Sequence, residues 1–233
     1  EQLPASDRTV PALRARLPRT MALRGDGLPR VDVAPGDPAP SSRKGRQAET
    51  KARKQLAQAG HAVEQRWLTS PQDVAAALPD LERVHRLRDL DARGSSAHDD
   101  PDVLAFYRAV VQAHAEAGEV DLLTLRVDGD LAAYVLAFRD GDVLRVWDNR
   151  VAPAWRHVSA GRLANAQALQ RVAEDPAYRT LDWMRGEEAY KLSSATRVDR
   201  TQHLLAWSSG AARLPYDARK LAKRARDLVR PGS

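Results

Sequence analysis

The 233 residues carry 37 Lys and Arg against 31 Asp and Glu, a net charge of +6, and 43% hydrophobic side chains, which is enough for a packed core and excludes an intrinsically disordered chain. With no cysteine there is no disulfide, no thiolate metal site and no cysteine nucleophile, as suits a reducing cytoplasm; no apolar run reaches the roughly 18 residues that span a membrane. Arg greatly outnumbers Lys in the manner of a coding bias, so only local clusters of charge are read as function.

The chain begins at Glu1 rather than Met, which fits a fragment or a processed product, and "EQLPASDRTV" lacks the layout of a signal peptide. One helix is expected around "VPALRARLPRTM". Residues 25–42, rich in Gly, Pro and Ser, then read as a connector with at most one short strand. "SSRKGRQAETKARKQLAQAG" is a helix whose first part, 43–54, is basic: a solvated face or a phosphate-contacting one.

"HAVEQRWL" alternates as a strand, and "SPQDVAAALPDLERVHRLRDLDAR" follows as a helix capped by Ser70 with Pro71 at its first position. After the loop "GSSAHDDPD", the next helix places Val103, Phe106, Val110, Val111 and His114 at helical spacing, the expected core face. "DLLTLRVDGDLAAYVLAFRDGDVLRVWDNR" gives three strands joined by two "DGD" hairpins. A helix over 159–174, a crossover strand "RTLDWMRG", the irregular "EEAYKLSSATRVDR", a strand "TQHLLAWSS" and a basic helix over 213–230 complete the order. Such an order predicts an α/β fold with a mixed, mainly antiparallel sheet flanked by helices.

Where the last meander strand gives way to the helix, "VAPAWRHVSAGRL" sets Arg156, Ser159 and Gly161 beside a helix start, whose unpaired N–H groups and dipole suit an anion. His157 lies inside this turn, whereas His61, His85, His98, His114 and His203 share no local spacing and read as surface or half-buried residues, with no metal site.

This segment resembles the acyl-CoA-binding turn of the GNAT N-acyltransferases, in which an Arg-x-x-Gly-x-Gly turn opens a helix; Arg156 and Gly161 match, and Ser159 stands at the first glycine. "SAGRL", with "RTLDWMRGEEAYK" downstream, is similar to the cellulose-biosynthesis-type (CelD-like) acetyltransferases, relatives of the FemAB peptidoglycan aminoacyltransferases. The resemblance covers about residues 40–207 and rests on Asp182, Trp183, Gly186, Glu187, Glu188, Tyr190 and Lys191 besides the turn. It implies a GNAT-like domain over 43–233, with 1–42 as the tail of a truncated first half.

The same resemblance implies transfer of an acyl group from acyl-CoA (acetyl-CoA) to an amine, without a metal. Arg156, His157, Val158, Ser159, Ala160, Gly161 and Arg162 would hold the donor's pyrophosphate. Glu187, Glu188 or Asp148 would serve as base, Tyr190 as proton donor and Lys191 as electrostatic stabiliser, with Trp147, Asn149 and Trp183 facing the acceptor. The alternatives are an aminoacyl-tRNA donor, engaged through the basic helices 43–54 and 213–230, and a non-catalytic GNAT-like binding module. The acceptor is expected to be a small molecule or peptide, and the location cytoplasmic with no membrane insertion.

Overall fold

The computed structural model describes residues 3–4, 9–17, 19–34 and 43–218. Residues 35–42 of the expected connector and 219–230 of the basic C-terminal helix lie outside the described residues. The chain forms two compact units, Glu1–Gly27 with Asp199–Ser233, and Leu28–Val198.

In the smaller unit, α1 (Thr9–Arg16) lies between β1 (Leu3–Pro4) and β2 (Thr20–Asp32), and β8 (Arg197–Ala206) pairs antiparallel with β1. Two expectations change here. Residues 25–32 are strand rather than connector, and the irregular segment ends at Thr196, because β8 starts four residues ahead of the apolar stretch that announced it. Gly25 and Gly27 argue against a strand by propensity, but a Cβ at Gly25 would collide with the Thr201 hydroxyl, so close approach to β8 calls for glycine there. Residues 210–218 are helical.

The larger unit contains α2 (Arg43–Gln58), β3 (Val63–Leu68), α3 (Pro71–Arg93), α4 (Pro101–Glu116), β4 (Val120–Val127), β5 (Asp130–Asp140), β6 (Val143–Val151), α5 (Ala160–Glu174), β7 (Thr180–Asp182) and the single turn α6 (Ala189–Leu192). Its sheet runs β2, β7, β6, β5, β4, β3, every pair antiparallel except β6 with β7. This is the mixed, mainly antiparallel sheet flanked by helices expected from the sequence.

Local chemistry accounts for the elements. Ser70 accepts a hydrogen bond from the Asp73 N–H, Pro71 follows it, and Gly94 closes α3 in a left-handed conformation. Asp128 (φ 51°) and Gly129 (φ 87°) form the two-residue β4–β5 turn, whose positive dihedrals match the strand twist. The strands β4 and β5 are apolar almost throughout because both faces are covered. On one face Leu123, Leu125, Val135 and Ala137 meet Ala52 and Leu56 of α2 and Leu163, Ala164 and Ala168 of α5. On the other Leu122, Leu131, Tyr134 and Leu136 meet Val74, Leu81 and Val84 of α3 and Tyr107 and Val111 of α4.

The core face of α4 differs from the expected one. Tyr107, Val111 and Ala115 are buried, whereas Phe106 is 66% exposed and Val103 lies outside too. Hydrophobicity alone pointed to the phenylalanine; the buried tyrosine wins because its hydroxyl finds a partner in Asp148.

Candidate active site

The strands β6 and β7 pair in parallel only over Val143–Arg145 and Thr180–Asp182. Beyond Arg145, β6 continues to Val151 paired with β5 alone, and the chain after Asp182 turns to β2, where the Trp183 N–H donates to the Pro29 carbonyl at 3.1 Å. The two strands therefore part, and an open wedge begins at their carboxyl ends. Such a break between parallel strands is where α/β sheets admit ligands.

A bulge shapes the β6 side of that wedge. Ala137 pairs with Val146 and Leu136 with Asp148, leaving Trp147 as the extra residue. Trp147 and Asp148 consequently both point toward α3 and α4, and Asn149 points the other way, toward α5. Asn149 Nδ2 lies 3.2 Å from Asn165 Oδ1 and 3.2 Å from Tyr190 Oη. Burial, above all, raises the Tyr190 pKa, so its phenol is a proton donor at neutral pH.

The acidic and basic members of "RGEEAYK" hold Tyr190 in place. Lys191 is buried; its Nζ donates to the Arg185 carbonyl at 2.7 Å and pairs with Glu188 at 3.0 Å, staying 6.0 Å from the Tyr190 ring centroid. Burial opposes ionisation of Glu188, but its own backbone N–H and Lys191 outweigh that and lower its pKa. Gly186 has φ 108°, and a Cβ there would collide with the Glu188 carboxylate. Asp182, fully buried, pairs with Arg30 of β2 at 3.1 Å and Arg145 of β6 at 2.8 Å, tying β7 between its neighbours. Trp183 is also buried, donates to Ser194 at 3.1 Å and meets the Tyr190 ring edge-on at 5.8 Å. Trp147 likewise packs on Tyr107 and Phe138, each 5.1 Å away. Of the three acceptor-facing candidates, Asn149 alone stands beside the Tyr190 hydroxyl.

The turn before α5 departs in detail from expectation. Ser159 sits in a left-handed conformation (φ 58°) and makes no side-chain cap bond. A glycine would adopt that conformation freely; serine does so at a cost of about 1 kcal/mol. Its N–H donates to the Arg156 carbonyl, and Arg162 donates to the Ser159 carbonyl. The N–H groups of His157, Val158, Ala160 and Gly161 have no acceptor among the described residues. A Cβ on Gly161 would run into Val151 Cγ2, so this glycine lets α5 seat against the end of β6. The guanidinium of Arg156 pairs with Asp91 of α3 at 2.7 Å.

On the far face of β6, Asp148 gathers a buried polar network that spacing in the sequence did not reveal. Its carboxylate accepts from Tyr134 Oη (2.5 Å), Arg150 Nη1 (2.9 Å), His85 Nδ1 (3.1 Å) and Tyr107 Oη (3.4 Å). Burial favours the neutral acid, yet the His85 bond and the Arg150 charge prevail and lower its pKa. A carboxylate so well supplied with donors is a weak base. His85 stacks on His98 at 3.9 Å, and both are buried, contrary to the expectation of surface or half-buried histidines. The one sequence clue was the pair of polar residues, His85 and Asp89, on the buried stripe of α3.

The parted strands, the Tyr190 phenol beside them and the turn with its unpartnered N–H groups make up the candidate site of this mixed α/β fold. Residues 43–192 match the model of the family described as "Acetyltransferase (GNAT) domain", and the chain belongs to that family. A comparison with curated proteins finds no match. Among solved structures, the fold is similar to a conserved protein of unknown function from Bacteroides thetaiotaomicron (TM-score 0.60, 14% identity, covering 86% of this chain and 67% of that one). It is also similar to the C-terminal DUF2156 domain of a putative lysylphosphatidylglycerol synthetase from Agrobacterium fabrum (TM-score 0.58, 14% identity, 89% and 68% covered). FemX is a third (TM-score 0.56, 8% identity, 87% and 70% covered). At such identities the likeness is one of fold.

Among the described residues, no helix is long and apolar enough to cross a membrane, and no group of three His, Cys, Asp or Glu is placed to hold a metal ion.

Proposed function

We propose that the domain transfers an acyl group from acyl-CoA to an amine, with Tyr190 as the proton donor. The observation that carries this reading is the Tyr190 hydroxyl held against Asn149 where β6 and β7 part. A thioester lying in the wedge meets a neutral phenol that protonates the departing thiolate. The four unpartnered N–H groups of the turn, from His157 to Gly161, suit the donor's pyrophosphate. Arg156 and Arg162 add charge there, and Ser159 adds a hydroxyl free of any capping bond.

Glu187 and Glu188 are the proposed bases for the acceptor amine, ahead of Asp148, whose carboxylate is already saturated with donors. Lys191 acts through the turn that presents Tyr190. The CelD-like branch, a cytoplasmic location and a domain over 43–233 preceded by the tail of a first half belong to the same proposal.

One observation favours a second donor. Lys51, Arg53 and Lys54 lie exposed on α2 while Ala52 and Leu56 anchor it, leaving a basic face of the kind that contacts RNA phosphates. Calorimetric titration with CoA and acetyl-CoA at two salt concentrations separates the readings. Micromolar binding supports acyl-CoA; no binding at either salt, with the protein folded, favours an aminoacyl-tRNA donor or a non-catalytic module.

A further inference from the structure

The sheet of the larger unit ends at β3. This strand pairs with β4 from Val63 to Leu68 without a bulge, and among the described residues no strand lies on its other side. Two bonds fix the direction of its backbone groups: the Asp128 N–H donates to the Ala62 carbonyl at 2.8 Å, and the Thr124 hydroxyl donates to the Arg66 carbonyl at 3.4 Å. The even-numbered residues therefore turn their N–H and C=O groups to β4. By alternation Val63, Gln65 and Trp67 turn theirs outward, where they meet no backbone partner among the described residues.

Open sheet edges are usually blunted by proline, a bulge, a very short strand or charges, lysine above all. β3 has no proline or bulge and runs for six residues. Its charges are of opposite sign, Glu64 and Arg66, standing on either side of Gln65. Both are exposed, and their 3.7 Å contact with each other is too open to water to hold them together.

We infer that β3 pairs antiparallel with β3 of a second copy of this chain, centred on Gln65, to form a two-fold dimer. In that register Gln65 meets its counterpart, Val63 meets Trp67 and Glu64 meets Arg66, the last two relations occurring twice by symmetry. The outward groups of Val63, Gln65 and Trp67 exchange hydrogen bonds, exposed Val63 gains an aromatic neighbour, and each charge faces its opposite. Other registers lack this match. Centring the pair on Glu64 or on Arg66 sets like charges opposite each other, and a parallel pairing does so at both positions. The self-complementary order of these residues is what selects a second copy as the partner. β4 and β5 separate this edge from β6, so the dimer leaves the wedge open, and the inference does not depend on the acyltransferase reading.

The test is sedimentation of the full chain over a range of concentrations. Wild type is expected to dimerise reversibly. Glu64→Arg or Arg66→Glu alone sets like charges across the interface and weakens association by about tenfold. Mixing the two single variants restores it as a heterodimer, because the arginines of one copy then face the glutamates of the other. The double swap Glu64→Arg/Arg66→Glu restores it within one chain. Wild type that stays monomeric at every concentration overturns the proposal. So does a dimer that neither single swap weakens, or one that neither the mixture nor the double swap restores.

Discussion

The hydroxyl of Tyr190 and the side-chain amide of Asn149 meet at 3.2 Å across the gap that opens when β7 leaves β6. Neither residue is held by its own element alone: the bulge at Trp147 turns Asn149 toward α5, and the Lys191–Glu188 pair braces the turn that carries Tyr190. Replacing Tyr190 by Phe keeps the ring against Trp183 and removes only the proton. Turnover is expected to fall by about 100-fold, with donor affinity unchanged within about twofold. Steady-state thiol release and calorimetry with acetyl-CoA measure the two; an unchanged rate refutes the role.

Asp148→Asn leaves Arg150 and His85 facing a neutral amide inside the protein. Breaking a buried charged network from one side costs about 3–5 kcal/mol. Urea denaturation is expected to show a loss of that size, and a loss below about 1 kcal/mol would mean that the carboxylate is dispensable to the fold.

His98 gives the protein an acid-side weakness. Burial, then the neighbouring His85, lowers its pKa, although Asp148, Glu82 and Asp89 pull the other way. Arg150 faces the pair from β6, and Tyr107 from α4. A histidine whose folded pKa lies below the unfolded value of about 6.5 binds its proton more readily in the unfolded chain. Stability is therefore complete above that pH and declines as pH falls through about 6.5 toward the folded value. Urea midpoints at about pH 7.5 and about pH 5 should differ more for wild type than for His98→Asn; equal differences would exonerate His98.

Gly161→Ala forces the start of α5 away from Val151. Overpacking of this kind costs about 1–3 kcal/mol, and Val151→Ala in the same chain should recover most of it. A double-mutant cycle by chemical denaturation checks the coupling; additive losses would show that the contact is slack.

Much of the fold was legible because local rules and global demands agree. Ser70-Pro71 opens α3, the "DGD" turns close two hairpins, and unbroken apolar strands announce a sheet covered on both sides. The strand at residues 25–32 was hidden because Gly25 serves a close approach to β8 that no local pattern reports. The α4 face was misjudged because exposure of Phe106 follows from tertiary packing around Tyr107.

The site was legible in part. Motif order pointed to Tyr190 and Asn149, yet alternation along β6 could not say which of Trp147, Asp148 and Asn149 faces the wedge, since one extra residue reverses the parity. The partners of Asp148 come from α3, α4 and β5, so the network exists only once those elements are stacked.

The contact between Gly161 and Val151 also constrains how such a chain can change over generations. A lineage can trim the valine first and later acquire a side chain at the glycine, each step passing through a stable protein. The opposite order passes through an intermediate weakened at the very hinge of strand and helix. Sequence drift at these two positions therefore has a direction, and a homologue with alanine at 161 should carry a smaller residue at 151.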